Sequence, residues 1–206
     1  TPLCAVAVFQ VLHDAGLPAG VANLVTAHDP APVADVWLDS PGVRKLTFTG
    51  STDTGILLAT RAAATMKRVS MELGGHAPFL VFDDADVEHA AKGAALVRYL
   101  NTGQACICPN RIYVQRPHLE AFTEAFTARA AKLRVGAGTS DGVTIGPLID
   151  DVAMQKMERQ VADAVALGAR VTTGGTAVTP EGLTGRNFFA PTVLAERALD
   201  LAKNGG

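Results

Sequence analysis

The amino-acid sequence predicts an α/β fold in which helices cover a parallel β-sheet. Short apolar runs alternate with longer amphipathic segments, a pattern typical of parallel strands joined by crossover helices. Hydrophobic residues make up 48% of the 206 residues, which is enough to form a globular core. Glycine-containing turns separate several of these runs from the segments that follow them, as expected where a strand gives way to a helix.

The first lobe begins with an amphipathic helix over residues 1–15. Thr1 suits an N-cap, Pro2 suits the first helical position, and Gly16 ends the helix. The next five elements are assigned from apolar runs bounded by turn residues. They are a strand at 21–25, a helix at 31–38, a strand at 44–49, a helix that follows Gly50 and Ser51 and ends near Ala64, and a strand at 67–73.

The second lobe follows a predicted boundary near Gly74 and Gly75 and repeats the alternation. Its first helix, at 85–100, follows Asp83 and Asp84, whose side chains favour helix N-caps. A glycine-rich connection occupies 136–147. The remaining elements are strands at 78–82, 111–115, 170–173 and 188–194, and helices at 118–133 and 152–167.

Charge and cysteine content exclude several classes of protein. The 18 basic and 20 acidic residues give a net charge of −2, which offers no electrostatic basis for binding nucleic acid or an anionic membrane. No apolar run reaches the roughly 18 residues needed to span a bilayer, and we find no leader peptide. Three cysteines do not make a disulfide framework, so we expect a reducing, cytoplasmic location. The five His residues lack zinc-binding spacing, so we expect no metal site.

The segment Phe-Thr-Gly-Ser-Thr-Asp-Thr-Gly at 48–55 joins a predicted strand to a helix. Gly50 would allow a ligand to approach the backbone closely, and the N–H groups that begin the helix can hold a phosphate. Gly55 would let the helix pack close to the sheet. Thr52 stands where the dinucleotide-binding fingerprint has its middle glycine, so a simple strand-to-helix turn is the alternative.

Cys106 lies in a glycine-containing turn, Gly-Gln-Ala-Cys at 103–106, after a helix rich in Ala and Val. A thiol in such a bend is exposed near backbone N–H donors and is a candidate nucleophile. The alternative is a buried cysteine that acts only as a small apolar side chain. Cys108 also raises the alternative of a metal site, but the sequence offers no second ligand pair.

Glu72 stands between Met71 and Leu73 at the end of a predicted strand. If this carboxylate is buried, its pKa rises and it can accept a proton from water. The alternative is an acid that simply faces solvent at the end of the strand.

Three of these segments together resemble the aldehyde dehydrogenase superfamily. The stretches 48–51, 72–75 and 103–106 match its central motifs in order, and the gap from Glu72 to Cys106, 106 − 72 = 34 residues, fits the family. The stretches 73–79, 82–86 and 142–150, together with Cys108, are similar to the succinate-semialdehyde dehydrogenase branch.

The resemblance implies that residues 1–72 are the second half of a Rossmann-type NAD(P)-binding domain and that 73–206 are the first half of an α/β catalytic domain. It implies oxidation of an aldehyde to a carboxylic acid with NAD or NADP. Cys106 would form a thiohemiacetal that becomes a thioester, and Glu72 would activate the water that hydrolyses it. Gly50 and Ser51 would lie by the cofactor pyrophosphate and Thr49 near the nicotinamide.

The resemblance also implies a fragment without the family's oxyanion Asn and without its Glu-x-Phe-Gly-Pro segment. We therefore expect residues 1–206 alone to be inactive. The intact parent would be a homodimer or homotetramer acting on a small-molecule aldehyde. The alternatives are a catalytically silent scaffold and a redox sensor in which Cys108 is the disulfide partner of Cys106.

In the branch that this sequence resembles, an Arg commonly stands six residues before the nucleophile. Here that position, 106 − 6 = 100, is Leu100, which we expect to line the substrate pocket. Arg98 is two residues earlier on the predicted helix, about 200° around its axis, and would point elsewhere. An apolar Leu100 predicts a preference for uncharged or longer aldehydes, or at least weak selectivity for succinate semialdehyde.

Overall fold

The structure, a computed structural model, describes residues 2–185 and 187–195. The chain divides into two compact units, Thr1–Gly74 and Gly75–Gly206. Thr1, the predicted N-cap of the first helix, lies outside the described residues. None of the helices in the described ranges has the length and apolar character needed to cross a membrane.

The described residues of the first unit form two parallel strands and three helices, which is one strand fewer than the sequence predicts. Strand β1, Lys45–Gly50, pairs with strand β2, Arg68–Leu73, so that Thr49 stands opposite Glu72. The helices are α1, Pro2–Asp14, α2, Ala31–Asp39, and α3, Thr52–Ala63.

A small apolar core joins α2 and α3 to the strands of this unit. Its buried residues are Leu38, Leu58 and Ala62. Gly55 is also buried, and a Cβ atom at this position would lie 2.5 Å from the Leu73 side chain. A larger residue at this position would displace the Leu73 side chain, so glycine favours the close packing of α3 on the strands, as predicted for Gly55.

The strand predicted at 21–25 is wrong. These residues form turns and irregular backbone, and Val21 and Val25 are exposed. A short apolar run becomes a strand only where a neighbouring strand takes up its backbone hydrogen bonds. Here Val21 N instead donates to Pro18 O, at 3.2 Å, and closes a turn.

Over residues 75–185 and 187–195, the second unit forms two separate strand pairs and three α-helices. Strand β3, Pro78–Val81, is parallel to β4, Arg111–Val114, whereas β5, Arg170–Thr173, is antiparallel to β6, Val193–Ala195. The helices are α4, Val87–Arg98, α5, Leu119–Ala131, and α6, Asp151–Ala166. A 3-10 turn at Leu100–Gly103 follows α4, and a second one at Arg116–His118 precedes α5.

Helices α4 and α5 pack on β3 and β4 around the main core of this unit. The rings of Phe122 and Phe126 stack there with centroids 5.7 Å apart. The buried residues of this core are Val81, Ala91, Ala94, Phe122, Phe126, Ala130 and Val193.

Two element boundaries differ from the prediction for identifiable reasons. Helix α4 begins at Val87 because Asp86, not Asp83 or Asp84, caps it by accepting a hydrogen bond from His89 N at 2.7 Å. The strand predicted at 188–194 is reduced to β6, in part because Pro191 has no N–H to donate to a partner strand.

Candidate active site

The predicted cofactor residues lie together at one edge of the first unit. Because β1 and β2 are parallel, their carboxyl ends share an edge, and there Thr49 stands opposite Glu72 and Gly50 opposite Leu73. Ser51 follows as the N-cap of α3. Its Oγ accepts a hydrogen bond from Thr54 N at 3.3 Å. The structure therefore places the three predicted cofactor residues and Glu72 on one edge of the same strand pair.

Gly50 has a structural role within its own unit. A Cβ atom at this position would lie 2.3 Å from the ring of Phe48, which packs against the core of the unit. The ring needs this space whether or not a ligand approaches the backbone. The packing of Phe48 is therefore enough to explain a glycine at position 50, as the interpretation of a simple strand-to-helix turn expects.

Glu72 is exposed within its unit, although its neighbours Met71 and Leu73 are partly buried. The burial of Glu72 that would favour a role as a base is therefore not found in this unit as described. The alternative, an acid that faces solvent near the end of a strand, fits the unit as described.

Cys106 and Cys108 lie in one turn but in different environments. Cys106 is exposed, as the nucleophile interpretation requires, whereas Cys108 is 1% exposed. The Cys108 thiol donates to Val97 O at 3.1 Å, and its backbone N–H donates to Ala105 O at 3.0 Å. The apolar, packed alternative for a cysteine in this turn therefore applies to Cys108, and Cys106 is the thiol open to a substrate.

The turn is reached through a bend of left-handed backbone. Asn101, Thr102 and Gly103 have φ angles of 49°, 61° and 76° in succession. A Cβ atom at Gly103 would lie 2.2 Å from the Arg98 guanidinium, so glycine also gives that side chain its space. This bend ends α4 at Arg98, earlier than predicted, and places Leu100 in the 3-10 turn with half of its surface exposed.

The Arg98 side chain makes its contacts within the bend and with the neighbouring Tyr99 ring. Its Nη1 donates to Gly103 O at 3.5 Å, and its guanidinium lies 5.9 Å from the centroid of the Tyr99 ring. The predicted angle of about 200° between Arg98 and Leu100 does not apply, because Leu100 is no longer on the helix.

Sequence reasoning missed two side chains that hold this bend, Thr102 and Gln104. Both make hydrogen bonds to the backbone of residues 146–149. The sequence predicts only a glycine-rich connection at 136–147. Its similarity to the dehydrogenase branch over 142–150 was the one feature that marked this part of the chain as more than a linker.

A second contact joins the loops that lead into β3 and β4. The His76 ring contacts the side-chain amide of Asn110. Within the described ranges, no three His, Cys, Asp or Glu side chains are grouped so that they could hold a metal ion.

Comparison with known proteins identifies the family. The sequence matches the Aldehyde dehydrogenase family over residues 1–203. The chain belongs to this family. It is 48% identical to 3-sulfolactaldehyde dehydrogenase of Pseudomonas putida over 196 residues, which are 95% of this chain and 39% of that protein. It is 47% identical to the NADP(+) succinate-semialdehyde dehydrogenase of Escherichia coli, with 95% of this chain and 40% of that protein covered.

A solved structure is also similar to this aldehyde dehydrogenase chain in fold and in sequence. Succinate-semialdehyde dehydrogenase from Burkholderia pseudomallei superposes with a TM-score of 0.92 at 44% identity, covering 97% of this chain and 40% of that one. The predicted α/β fold and the likeness to the succinate-semialdehyde dehydrogenase branch are thus confirmed. The chain spans about two fifths of the length of the curated relatives that it matches.

Proposed function

We propose that the full-length protein oxidises an aldehyde to a carboxylic acid with NAD or NADP, as a succinate-semialdehyde dehydrogenase does. The observation that carries this proposal is the exposed Cys106 thiol, held on a shaped bend in a chain of the aldehyde dehydrogenase family. Two similar proteins are named for 3-sulfolactaldehyde and for succinate semialdehyde, and the latter name also gives NADP(+). We propose a small aldehyde as substrate, a cytoplasmic location and a homodimer or homotetramer.

The chemistry at the start of α3 fits a dinucleotide. Gly50 and Ser51 lead from a parallel strand into a 12-residue helix, whose first N–H groups and positive dipole end favour a phosphate. The Ser51 hydroxyl donates to Thr54 Oγ1 at 2.8 Å, which leaves the Thr54 hydroxyl as a further donor, whereas the Asp53 carboxylate in the first turn reduces the attraction. We propose that residues 1–72 belong to the cofactor domain, with Gly50 and Ser51 by the pyrophosphate and Thr49 near the nicotinamide. When bound, the nicotinamide supplies the hydride acceptor.

The proposed chemistry of the second unit, within a catalytic domain that starts at residue 73, is carried by Cys106. Its thiolate sulfur adds to the aldehyde carbon, a C–S bond forms, and the electrons of the C=O double bond move to oxygen. The backbone N–H of Cys106 donates to this oxyanion. After the carbon has been oxidised, the substrate is a thioester of Cys106.

Glu72 is proposed to act in the second half of the reaction. It accepts a proton from the water that adds to the thioester carbon, and the C–S bond then breaks to return the Cys106 thiolate. The exposed position of Glu72 in its unit leaves the carboxylate open to water.

Two substitutions test these roles in the full-length protein. Cys106→Ser should abolish aldehyde-dependent formation of NADH or NADPH, because a hydroxyl without an adjacent base is a far weaker nucleophile. Glu72→Gln should slow hydrolysis of the thioester more than its formation, so that one rapid turnover of reduced cofactor precedes a slow steady state. Cys4→Ser is the matched control, since Cys4 is an exposed cysteine on α1.

Normal steady-state turnover by Glu72→Gln would show that Glu72 is not the base. Normal turnover by Cys106→Ser would show that Cys106 is not the nucleophile. A wild-type protein that binds the cofactor but oxidises no aldehyde would favour the alternative of a catalytically silent scaffold.

A further inference from the structure

The backbone that presents Cys106 adopts a conformation that is unfavourable by itself. Three successive residues, Asn101, Thr102 and Gly103, have positive φ angles. Left-handed backbone is uncommon for residues that carry a Cβ atom, and it is least favourable for β-branched ones such as Thr102. A conformation of this kind persists only where contacts from outside the bend hold it.

Those contacts come from Gly146, Pro147 and Ile149. The Thr102 hydroxyl accepts a hydrogen bond from Gly146 N at 3.1 Å and donates one to Gly146 O at 3.4 Å. The Gln104 amide accepts from Ile149 N at 3.0 Å and donates to Pro147 O at 3.4 Å. Each side chain thus both accepts and donates, and each bonds the backbone of the same distant segment.

The segment that receives these bonds is itself fixed in the second unit. Ile145 and Leu148 are buried, and Leu148 packs with Met154 and Phe189. The backbone N–H of Leu148 donates to Asn187 O at 2.6 Å. The bend is therefore fastened to a part of the chain that belongs to a packed cluster and not to a free loop.

We propose that Thr102 and Gln104 are positioning residues for Cys106, which they hold in place by fastening its bend to residues 146–149. This inference rests on the proposed function, in which Cys106 is the nucleophile. Neither side chain takes part in bond making. Both act through the backbone between residues 101 and 106.

Cys108 provides a readout of this fastening that does not require a substrate. Its thiol is buried beneath the bend, where it lies 3.1 Å from Val97 O and 3.7 Å from Leu100 O. Reagents reach such a thiol only when the bend opens, so the labelling rate of Cys108 reports the population of the open state.

The experiment measures iodoacetamide labelling of Cys108 by mass spectrometry in the full-length protein that carries Cys4→Ser. Thr102→Val keeps the shape of the side chain but removes its hydroxyl, and Gln104→Leu removes the amide. Each variant loses the two hydrogen bonds that its side chain makes to residues 146–149, so Cys108 should label roughly tenfold faster or more. The kcat for aldehyde oxidation should also fall, by roughly tenfold or more, because a small misplacement of the thiol slows its attack on the aldehyde carbon, while the KM for the cofactor stays within about twofold.

Two further variants separate positioning from general stability. Thr102→Ser keeps the hydroxyl and should restore both labelling and kcat. Thr127→Val removes the hydrogen bond between the Thr127 and Thr172 hydroxyls, 2.8 Å long and partly buried on α5 and β5, and should leave Cys108 labelling at the wild-type rate.

If Cys108 reacts at the wild-type rate in both Thr102→Val and Gln104→Leu, the proposal is overturned. An equal increase in Thr127→Val would also overturn it, because any lost hydrogen bond would then loosen the bend. If the wild type oxidises no aldehyde, the nucleophile assignment fails, and the labelling rates still decide whether these side chains fasten the bend.

Discussion

Leu100 leads to a testable prediction about whether the preferred aldehyde is charged or uncharged. The residue is 49% exposed in the 3-10 turn after α4, six residues before Cys106 in the sequence. An apolar side chain there cannot pair with a substrate carboxylate. The nearby Arg98 guanidinium is bonded to Gly103 O and lies against the Tyr99 ring. We therefore expect the full-length enzyme to lack strong selectivity for succinate semialdehyde over an uncharged aldehyde such as butanal.

The substitution Leu100→Arg should shift this selectivity by a predictable amount. A charge-assisted hydrogen bond to a carboxylate contributes about 1.5–3 kcal/mol when it is shielded from water. Because half of the Leu100 surface is exposed, solvent screening should reduce the gain to about 1.4 kcal/mol, which corresponds to a tenfold change in kcat/KM.

The assay compares kcat/KM for succinate semialdehyde and for butanal in the wild type, in Leu100→Arg and in Leu96→Arg. Leu96 is 75% exposed on α4, so its variant adds the same charge to the same unit away from the turn. The kcat/KM for succinate semialdehyde divided by that for butanal should rise about tenfold in Leu100→Arg. It should stay within about twofold of the wild-type value in Leu96→Arg.

A wild type that already favours succinate semialdehyde by about a hundredfold or more would refute the reasoning, because a cation from elsewhere would then bind the carboxylate. An equal rise in the two variants would assign the effect to net charge and not to the position of Leu100.

Two further predictions concern groups near the same bend. Mild peroxide should join Cys106 to the buried Cys108 and silence the enzyme, with a loss of two hydrogens from the peptide that holds both; oxidation confined to sulfenic or sulfinic acid on Cys106 would rule this out. Burial raises the pKa of Tyr99 from 10.0 to about 12. The unfolded chain therefore loses this proton first, and the free energy of unfolding should fall as pH rises from 10 to 12. In Tyr99→Phe the free energy of unfolding, measured by denaturation at each pH, should fall less between pH 10 and pH 12. The same pH dependence in the variant and the wild type would contradict this prediction.

Periodicity and turn residues predicted much of the fold because these elements depend on local sequence. The apolar residues of β1 and β2 and the cap residue Ser51 specify a strand–helix–strand unit without help from distant residues. The failure at 21–25 has the opposite cause. An apolar run contains no information on whether a partner strand exists, and Val21 bonds within a turn.

Helix ends were harder to predict because several residues could fill the same role. Asp83, Asp84 and Asp86 all suit an N-cap, and only the path of the backbone decides that Asp86 accepts the hydrogen bond from His89 N. The sequence predicts the end of α4 two residues too late, because the left-handed angles that begin at Asn101 are not required by its sequence.

The candidate site shows the same limit more sharply. The motif around Cys106 predicts a nucleophile through resemblance, but the contacts that shape its bend come from residues 43 to 45 positions later in the chain. Hydrogen bonds between side chains and distant backbone leave no periodic pattern, so a single sequence could not reveal Thr102 and Gln104 as its supports. A bend with three left-handed residues is unfavourable when isolated, so the position of the thiol depends on the packing of residues 146–149. Substitutions that loosen the cluster of Leu148, Met154 and Phe189 should therefore alter the reactivity of Cys106, although none of these three side chains belongs to the motif that identified it.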